Sequence, residues 1–204
     1  MTDPTSPVED RHAPRPVVSH EVIHHGKVWD LAGDVVDLGD SQVLREYVDH
    51  PGAVAVIALD DDDRVLLLSQ YRHPVRHELW EPPAGLLDVE GEDLVVAAAR
   101  ELAEEADLVA GSWWRLTEFF SSPGGSDERI VVFLARDLSP VPEADRYARV
   151  DEEAAMVPVW VPLDEAVDAV LAGRLHSPTT VSGVLAAAAA RARDWSTLID
   201  ASPA

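Results

Sequence analysis

The stretch that most restricts what this chain can fold into lies between residues 81 and 106. Residues 81–91, rich in proline and glycine, read as a loop, and residues 92–106 contain neither and read as one helix. With successive residues roughly 100° apart around the axis, Glu101, Glu104 and Glu105 fall within one arc. Val95, Val96, Ala99, Leu102, Ala103 and Ala106 fall opposite, so the spacing predicts a core face and an acidic face. A loop bracketed by Gly85 and Gly91 thus feeds a helix with three clustered carboxylates.

The plain alternative is a solvated acidic face. Three features weigh against it. Glu101 and Glu105 are like charges four residues apart, unfavourable by about a few tenths of a kcal/mol unless a positive charge sits between them. The acids lie towards the helix C-terminus, where the macrodipole disfavours negative charge. Arg100 adjoins them and has the forked geometry to orient a carboxylate.

The remaining pattern builds a frame for this helix. Residues 53–59 and 65–70 flank the acidic turn at 60–64 and read as a hairpin. Residues 130–135 and 156–161 read as further strands, residues 164–172 as a helix ended by Gly173, and residues 181–195 as an Ala-rich closing helix. This order predicts an α+β fold with a mixed sheet and helices packed on it. Residues 17–50, with short apolar pieces between Gly26, Gly33 and Gly39, read as a small β appendage, and residues 51–204 as the main domain. Residues 1–16, with four prolines, have the composition of a disordered tail.

Composition narrows the chemistry. The chain has no cysteine, so any metal must bind to oxygen or imidazole. A net charge of −22 disfavours nucleic acid as a partner. A phosphorylated small molecule remains compatible if a divalent cation bridges carboxylate and phosphate. The longest apolar run, residues 184–190, is too short to span a bilayer, and the N-terminus lacks a secretory core; a cytoplasmic protein without a membrane partner is expected. The eight histidines, notably His24, His25, His73 and His77, offer no coherent metal set and read as solvent-exposed loop residues without a role.

The run from Gly85 through Glu92 to Arg100-Glu101-Leu102-Ala103-Glu104-Glu105-Ala106-Asp107-Leu108 resembles the Nudix box, G-x5-E-x7-R-E-U-x-E-E-x-G-U with U aliphatic. It departs twice: six residues separate Gly85 from Glu92 where the family has five, and Asp107 stands in place of a glycine. The resemblance implies a Nudix-type α/β/α sandwich. It also implies that Glu101, Glu104 and Glu105, with the main-chain carbonyl of Ala84, bind Mg²⁺ (or Mn²⁺), and that Gly85, Glu92 and Arg100 are structural.

Outside the box, Ser69-Gln70-Tyr71-Arg72 and Glu78-Leu79-Trp80-Glu81-Pro82-Pro83-Ala84-Gly85 are similar to the flanking runs of ADP-ribose pyrophosphatases and related nucleotide-sugar hydrolases. Arg45-Glu46 resembles their substrate-contacting pair, and residues 122–128 resemble their S-P-G…E loop. What this implies is hydrolysis of the pyrophosphate bond of ADP-ribose to AMP and ribose 5-phosphate by a homodimer. Arg72 would meet phosphate, Glu46 the adenine amino group, and Arg45 the base or phosphate. Glu128 would be the catalytic base or an extra metal ligand, with Glu105 the catalytic member of the box. Trp29 reads either as packing within the β appendage or as an aromatic plate for adenine. Two alternatives stay open: a hydrolase of another nucleoside diphosphate sugar such as GDP-mannose, and a non-catalytic sensor of ADP-ribose-like ligands.

Overall fold

A computed structural model describes residues 8–149 and 156–202, which form two compact units divided between Asp49 and His50. The expected disordered tail falls partly outside the described residues; residues 8–16 have no regular structure and are exposed.

The first unit is an antiparallel three-stranded sheet of β1 (Val17–His25), β2 (Asp30–Asp37) and β3 (Gln42–Asp49), in that order. Gly26 makes the first turn possible, because a Cβ there would lie 2.1 Å from the Trp29 carbonyl oxygen. Ala32 and Gly33 are buried, whereas Val17, Val18, Ile23 and Leu44 are exposed. The sheet therefore buries little apolar surface within the chain.

The second unit is built around β4 (Ala53–Ala58), whose side chains are buried on both faces. Val54, Val56 and Ala58 enter one core and Ala55 and Ile57 the other, the alternation that a period of two requires. β4 anchors a five-stranded sheet of order β11-β8-β9-β4-β7, where β7 is Ala84–Leu86, β8 Leu108–Phe120, β9 Arg129–Pro140 and β11 Ile199–Asp200. β4 runs parallel to β9, and the other pairs are antiparallel, giving a mixed sheet. A second sheet sets β5 (Arg64–Arg72) between β10 (Val157–Pro162) and β6 (His77–Glu81).

The hairpin expected from residues 53–70 does not form. β4 and β5 enter different sheets and share only a bridge between Leu59 and Val65, because β9 and β7 occupy both edges of β4. β8 has no counterpart among the expected strands, β7 lies wholly within the stretch that reads as loop, and β6 meets it at Glu81.

Helices cover both faces of the five-stranded sheet. α1 (Leu94–Ala106) packs into the first core through Val95, Ala98 and Leu102. α2 (Leu163–Leu171) and α3 (Pro178–Arg191) pack into the second through Leu163, Ala166, Val184 and Ala187. Gly183 allows α3 to press on β4, since a Cβ there would meet Ile57 Cδ1 at 2.6 Å. Thr180, fully buried, donates to the Trp80 carbonyl at 2.6 Å and pins α3 to β6.

α3 begins earlier than the spacing of apolar residues indicates because Pro178 is tolerated in the first turn. It ends earlier because Asp194 and Trp195 adopt left-handed backbone (φ 51° and 59°). Among the described residues no helix is long and apolar enough to cross a membrane. The architecture is α+β, with helices on both faces of a mixed sheet.

Candidate active site

The N-terminal end of β4 gathers the distant motifs. Ala53 pairs with Ile130 of β9 on one side and Leu86 of β7 on the other. Glu128, just before β9, and the Ala84–Gly85 segment are thereby brought to one end of the sheet. Gly52 stitches them: its carbonyl accepts from the Leu87 N–H at 3.1 Å, and a Cβ on it would lie 3.2 Å from the Arg129 carbonyl. Its φ of +88° is one that glycine adopts without strain.

α1 lies over this end. Asp93 caps it, accepting from the Val95 N–H at 3.0 Å, and Asp107 ends it in left-handed conformation with φ 54°. The buried residues are Val95, Ala97, Ala98, Glu101 and Leu102, with Val96 44% exposed. The inward arc is thus rotated from the one the apolar spacing indicates, and it contains Glu101. Val96 is not a core residue. The rotation has a local cause: the carboxylate end of α1 packs on β7, not on solvent.

Two contacts make that packing. Glu101 lies against Gly85 so closely that no side chain fits there, and the Glu105 Oε2 accepts from the Ala84 N–H at 2.9 Å. Arg100 then ties helix to loop. Its Nε and one terminal nitrogen donate to the two carboxylate oxygens of Glu92 at 3.2 and 3.0 Å. The other terminal nitrogen donates to Glu101 at 2.6 Å and lies 3.5 Å from Glu104. The six-residue spacing after Gly85 does not prevent Glu92 from returning to Arg100.

The electrostatics follow. Hydrogen bonds from Arg100 hold the Glu92 carboxyl below the usual glutamate range, and the same bonds hold Arg100 well above its ordinary value. Burial pushes Glu101 upwards, against the pull of Arg100. Asp107 is engaged too, its Oδ2 2.7 Å from an Arg149 terminal nitrogen, while Arg149 Nε donates to the Glu104 carbonyl at 2.8 Å.

Among the described residues no three His, Asp or Glu side chains converge as a preformed cation site. The donor set still fits a hard divalent cation: its side chains offer only oxygen, and Glu101 is a desolvated carboxylate held against the strand by the Gly85 cradle. Glu101 and Glu105 both face β7, and Glu104 lies at the rim beside Arg100.

The loop of residues 121–128 joins β8 to β9. Ser121 N–H donates to the Glu128 carbonyl, Ser122 O accepts from Gly125 and Ser126, and Glu128 N–H donates to Ser126 Oγ. The Glu128 Oε1 lies 3.7 Å from His50 Nε2. His50, only 10% exposed at its side chain, departs from the expectation of solvent-exposed histidines. His24, His25 and His77 are also not loop residues, since the first two lie in β1 and the third opens β6.

Arg72, at the end of β5, donates through Nε and a terminal nitrogen to Glu81 Oε2 at 3.0 and 2.6 Å. Glu81 is 9% exposed, and its pairing with Arg72 leads directly into the Pro82-Pro83-Ala84-Gly85 turn. In the first unit, Trp29 is 45% exposed and so is not packed inside the β appendage. Arg45 and Glu46 lie on β3, with Arg45 donating to the Leu44 carbonyl at 3.0 Å and Glu46 opposite Gly33. His50 carries no recognisable signal in the sequence, and the pairing of Glu81 with Arg72, though Glu81 lies in a family-like run, comes from cross-strand contact.

Comparison with known proteins gives the family. The NUDIX domain family profile matches residues 49–180. An ADP-ribose pyrophosphatase of Mycobacterium tuberculosis is 44% identical over 172 residues, 83% of this chain and 81% of that protein. An ADP-ribose pyrophosphatase of Bacillus subtilis is 35% identical over 168 residues, 82% of this chain and 89% of that protein. A solved ADP compounds hydrolase superposes with a TM-score of 0.71 at 19% identity, covering 92% of this chain and 96% of that one, a likeness of fold. With its matching domain, its box residues on α1 and its Gly85–Glu101 packing, the chain belongs to the Nudix family.

Proposed function

We propose that this protein hydrolyses the pyrophosphate bond of ADP-ribose in a Mg²⁺-dependent reaction, giving AMP and ribose 5-phosphate. The observation that carries this reading is the meeting of Glu101 and Glu105 with the Ala84–Gly85 strand, at the sheet end where Glu128 also emerges. Relatives bearing the name ADP-ribose pyrophosphatase over most of the chain supply the substrate.

Divalent cations held by Glu101, Glu104, Glu105 and the Ala84 carbonyl would neutralise the pyrophosphate and make water easier to deprotonate. The chain's own residues do the rest. Arg100 and Gly85 set the direction of Glu101, and the Ala84 N–H sets that of Glu105. Glu128 takes a proton from the attacking water, or positions that water, for in-line displacement at one phosphorus. Arg72, oriented by Glu81, offers its guanidinium to phosphate. Arg45 and Glu46 contact the adenine end, with Trp29 as a stacking surface. Pairing of two chains through the exposed apolar residues of the β1–β3 sheet would supply those groups across a homodimer.

Incubation of the full chain with ADP-ribose and Mg²⁺, with products separated by chromatography, tests this. Equimolar AMP and ribose 5-phosphate, lost on chelation of the cation, is the expected result; intact ADP-ribose would refute it.

A further inference from the structure

We propose that His50 is a positioning residue for Glu128, holding that carboxylate in its working orientation through the imidazole Nε2–H. The inference rests on the reading of Glu128 as the group that acts on the attacking water.

One hydrogen bond orients the imidazole and a second anchors its backbone. The Gly52 N–H donates to His50 Nδ1 at 3.1 Å, so Nδ1 is an acceptor and the proton of the neutral ring sits on Nε2. The His50 N–H donates to Asp127 Oδ1 at 2.9 Å, which ties the backbone of the histidine to the residue before Glu128. Gly52, at φ +88°, closes the turn that brings its own N–H back to the ring. Nε2 therefore faces Glu128 Oε1, at 3.7 Å.

That separation is beyond a hydrogen bond and within the range of a charge-assisted pair. The environment of the ring sets it apart from other histidines that pair with an acid. Its side chain is 10% exposed, against 50% for His20 and 78% for His25, which pair with Asp34 and Asp30 on the first sheet. A largely covered imidazole whose one nitrogen is used by the backbone, and whose other is aimed at a half-buried carboxylate, is oriented towards that carboxylate. The Asp127–His50 hydrogen bond ties the 121–128 loop to the residues that lead into β4, so the direction of Glu128 is set from outside its own loop.

The two nitrogens can be separated by substitution. His50→Asn keeps an oxygen near the Nδ1 position to accept from Gly52 but has nothing at Nε2. His50→Gln places an amide N–H near Nε2. In steady-state hydrolysis of ADP-ribose with Mg²⁺, His50→Asn should lower kcat by about tenfold or more, with KM within about twofold. His50→Gln should recover part of that loss. In a Glu128→Gln background, already slow, His50→Asn should have no further effect on kcat. An equal loss in both backgrounds, or none in the parent, overturns the role of His50 while leaving Glu128 in place. A normal kcat for Glu128→Gln refutes the catalytic reading of Glu128 itself, and the role of His50 falls with it.

Discussion

A Cβ built on Gly85 would lie 2.0 Å from the Cδ of Glu101. The box glycine is therefore the seat of a carboxylate, and only a residue without a side chain lets α1 lie this close to β7. Because the atom displaced by a methyl group is the end of a flexible side chain, Gly85→Ala should cost only about 1–2 kcal/mol of stability. It should nonetheless reduce turnover by about a hundredfold or more, since Glu101 must leave its position. Thermal unfolding and kcat/KM measured on the same preparation check this; parallel, small losses in both would contradict it.

Glu105 accepts from the Ala84 N–H but is not buried with Glu101, so its removal leaves the core intact. Glu105→Gln should lower turnover by orders of magnitude, with a loss of stability of about 1 kcal/mol or less. Unchanged turnover at saturating Mg²⁺ would remove Glu105 from the metal site.

Glu92 and Glu101 predict opposite dependences on pH in the cation-free chain. The Glu92 carboxyl is lowered by Arg100, so its stabilisation is complete above the ordinary glutamate value of about 4.3 and is lost as pH falls through the depressed value. The Glu101 carboxyl is raised by burial, so its folded form favours the proton and loses stability as pH rises through the raised value. Denaturation midpoints of Glu92→Gln and Glu101→Gln relative to the parent should therefore move in opposite directions as pH rises, falling for Glu92→Gln and rising for Glu101→Gln. Parallel movement would contradict the assigned causes.

Asp107 occupies a left-handed position usually given to glycine, and its carboxylate meets Arg149 at 2.7 Å. Asp107→Gly relieves backbone strain and loses the ion pair, so a net change within about 1 kcal/mol is expected. Asp107→Ala loses the pair and keeps the strain, and should be less stable than Asp107→Gly. Urea unfolding of the two variants gives the comparison.

Much of the site was legible because it lies in one contiguous run. The arrangement of Arg100 with Glu92 and Glu101, and the end of α1 at Asp107, follow from residues within a few turns of each other. What was not legible depends on pairing across the chain. β4 and β5 look like a hairpin because each is a short apolar run beside a turn, but the register of β4 is set by β9 and β7, more than twenty residues away. β8 has no strand signature because Gly111, Arg115 and Glu118 interrupt its apolar alternation, and its pairing with β9 is long-range. The rotation of the buried arc of α1 follows from Gly85, which no helical periodicity contains. His50 gained its environment only when Gly52, Asp127 and Glu128 came together.

The measurement closest to the central claim is kcat/KM with Mg²⁺ for ADP-ribose, GDP-mannose, UDP-glucose, NADH, Ap4A and dGTP under one set of conditions. ADP-ribose should lead. Another nucleoside diphosphate sugar in the lead would keep the pyrophosphate chemistry and contradict the base-site residues Arg45, Glu46 and Trp29, and no turnover of any substrate would contradict the hydrolase itself.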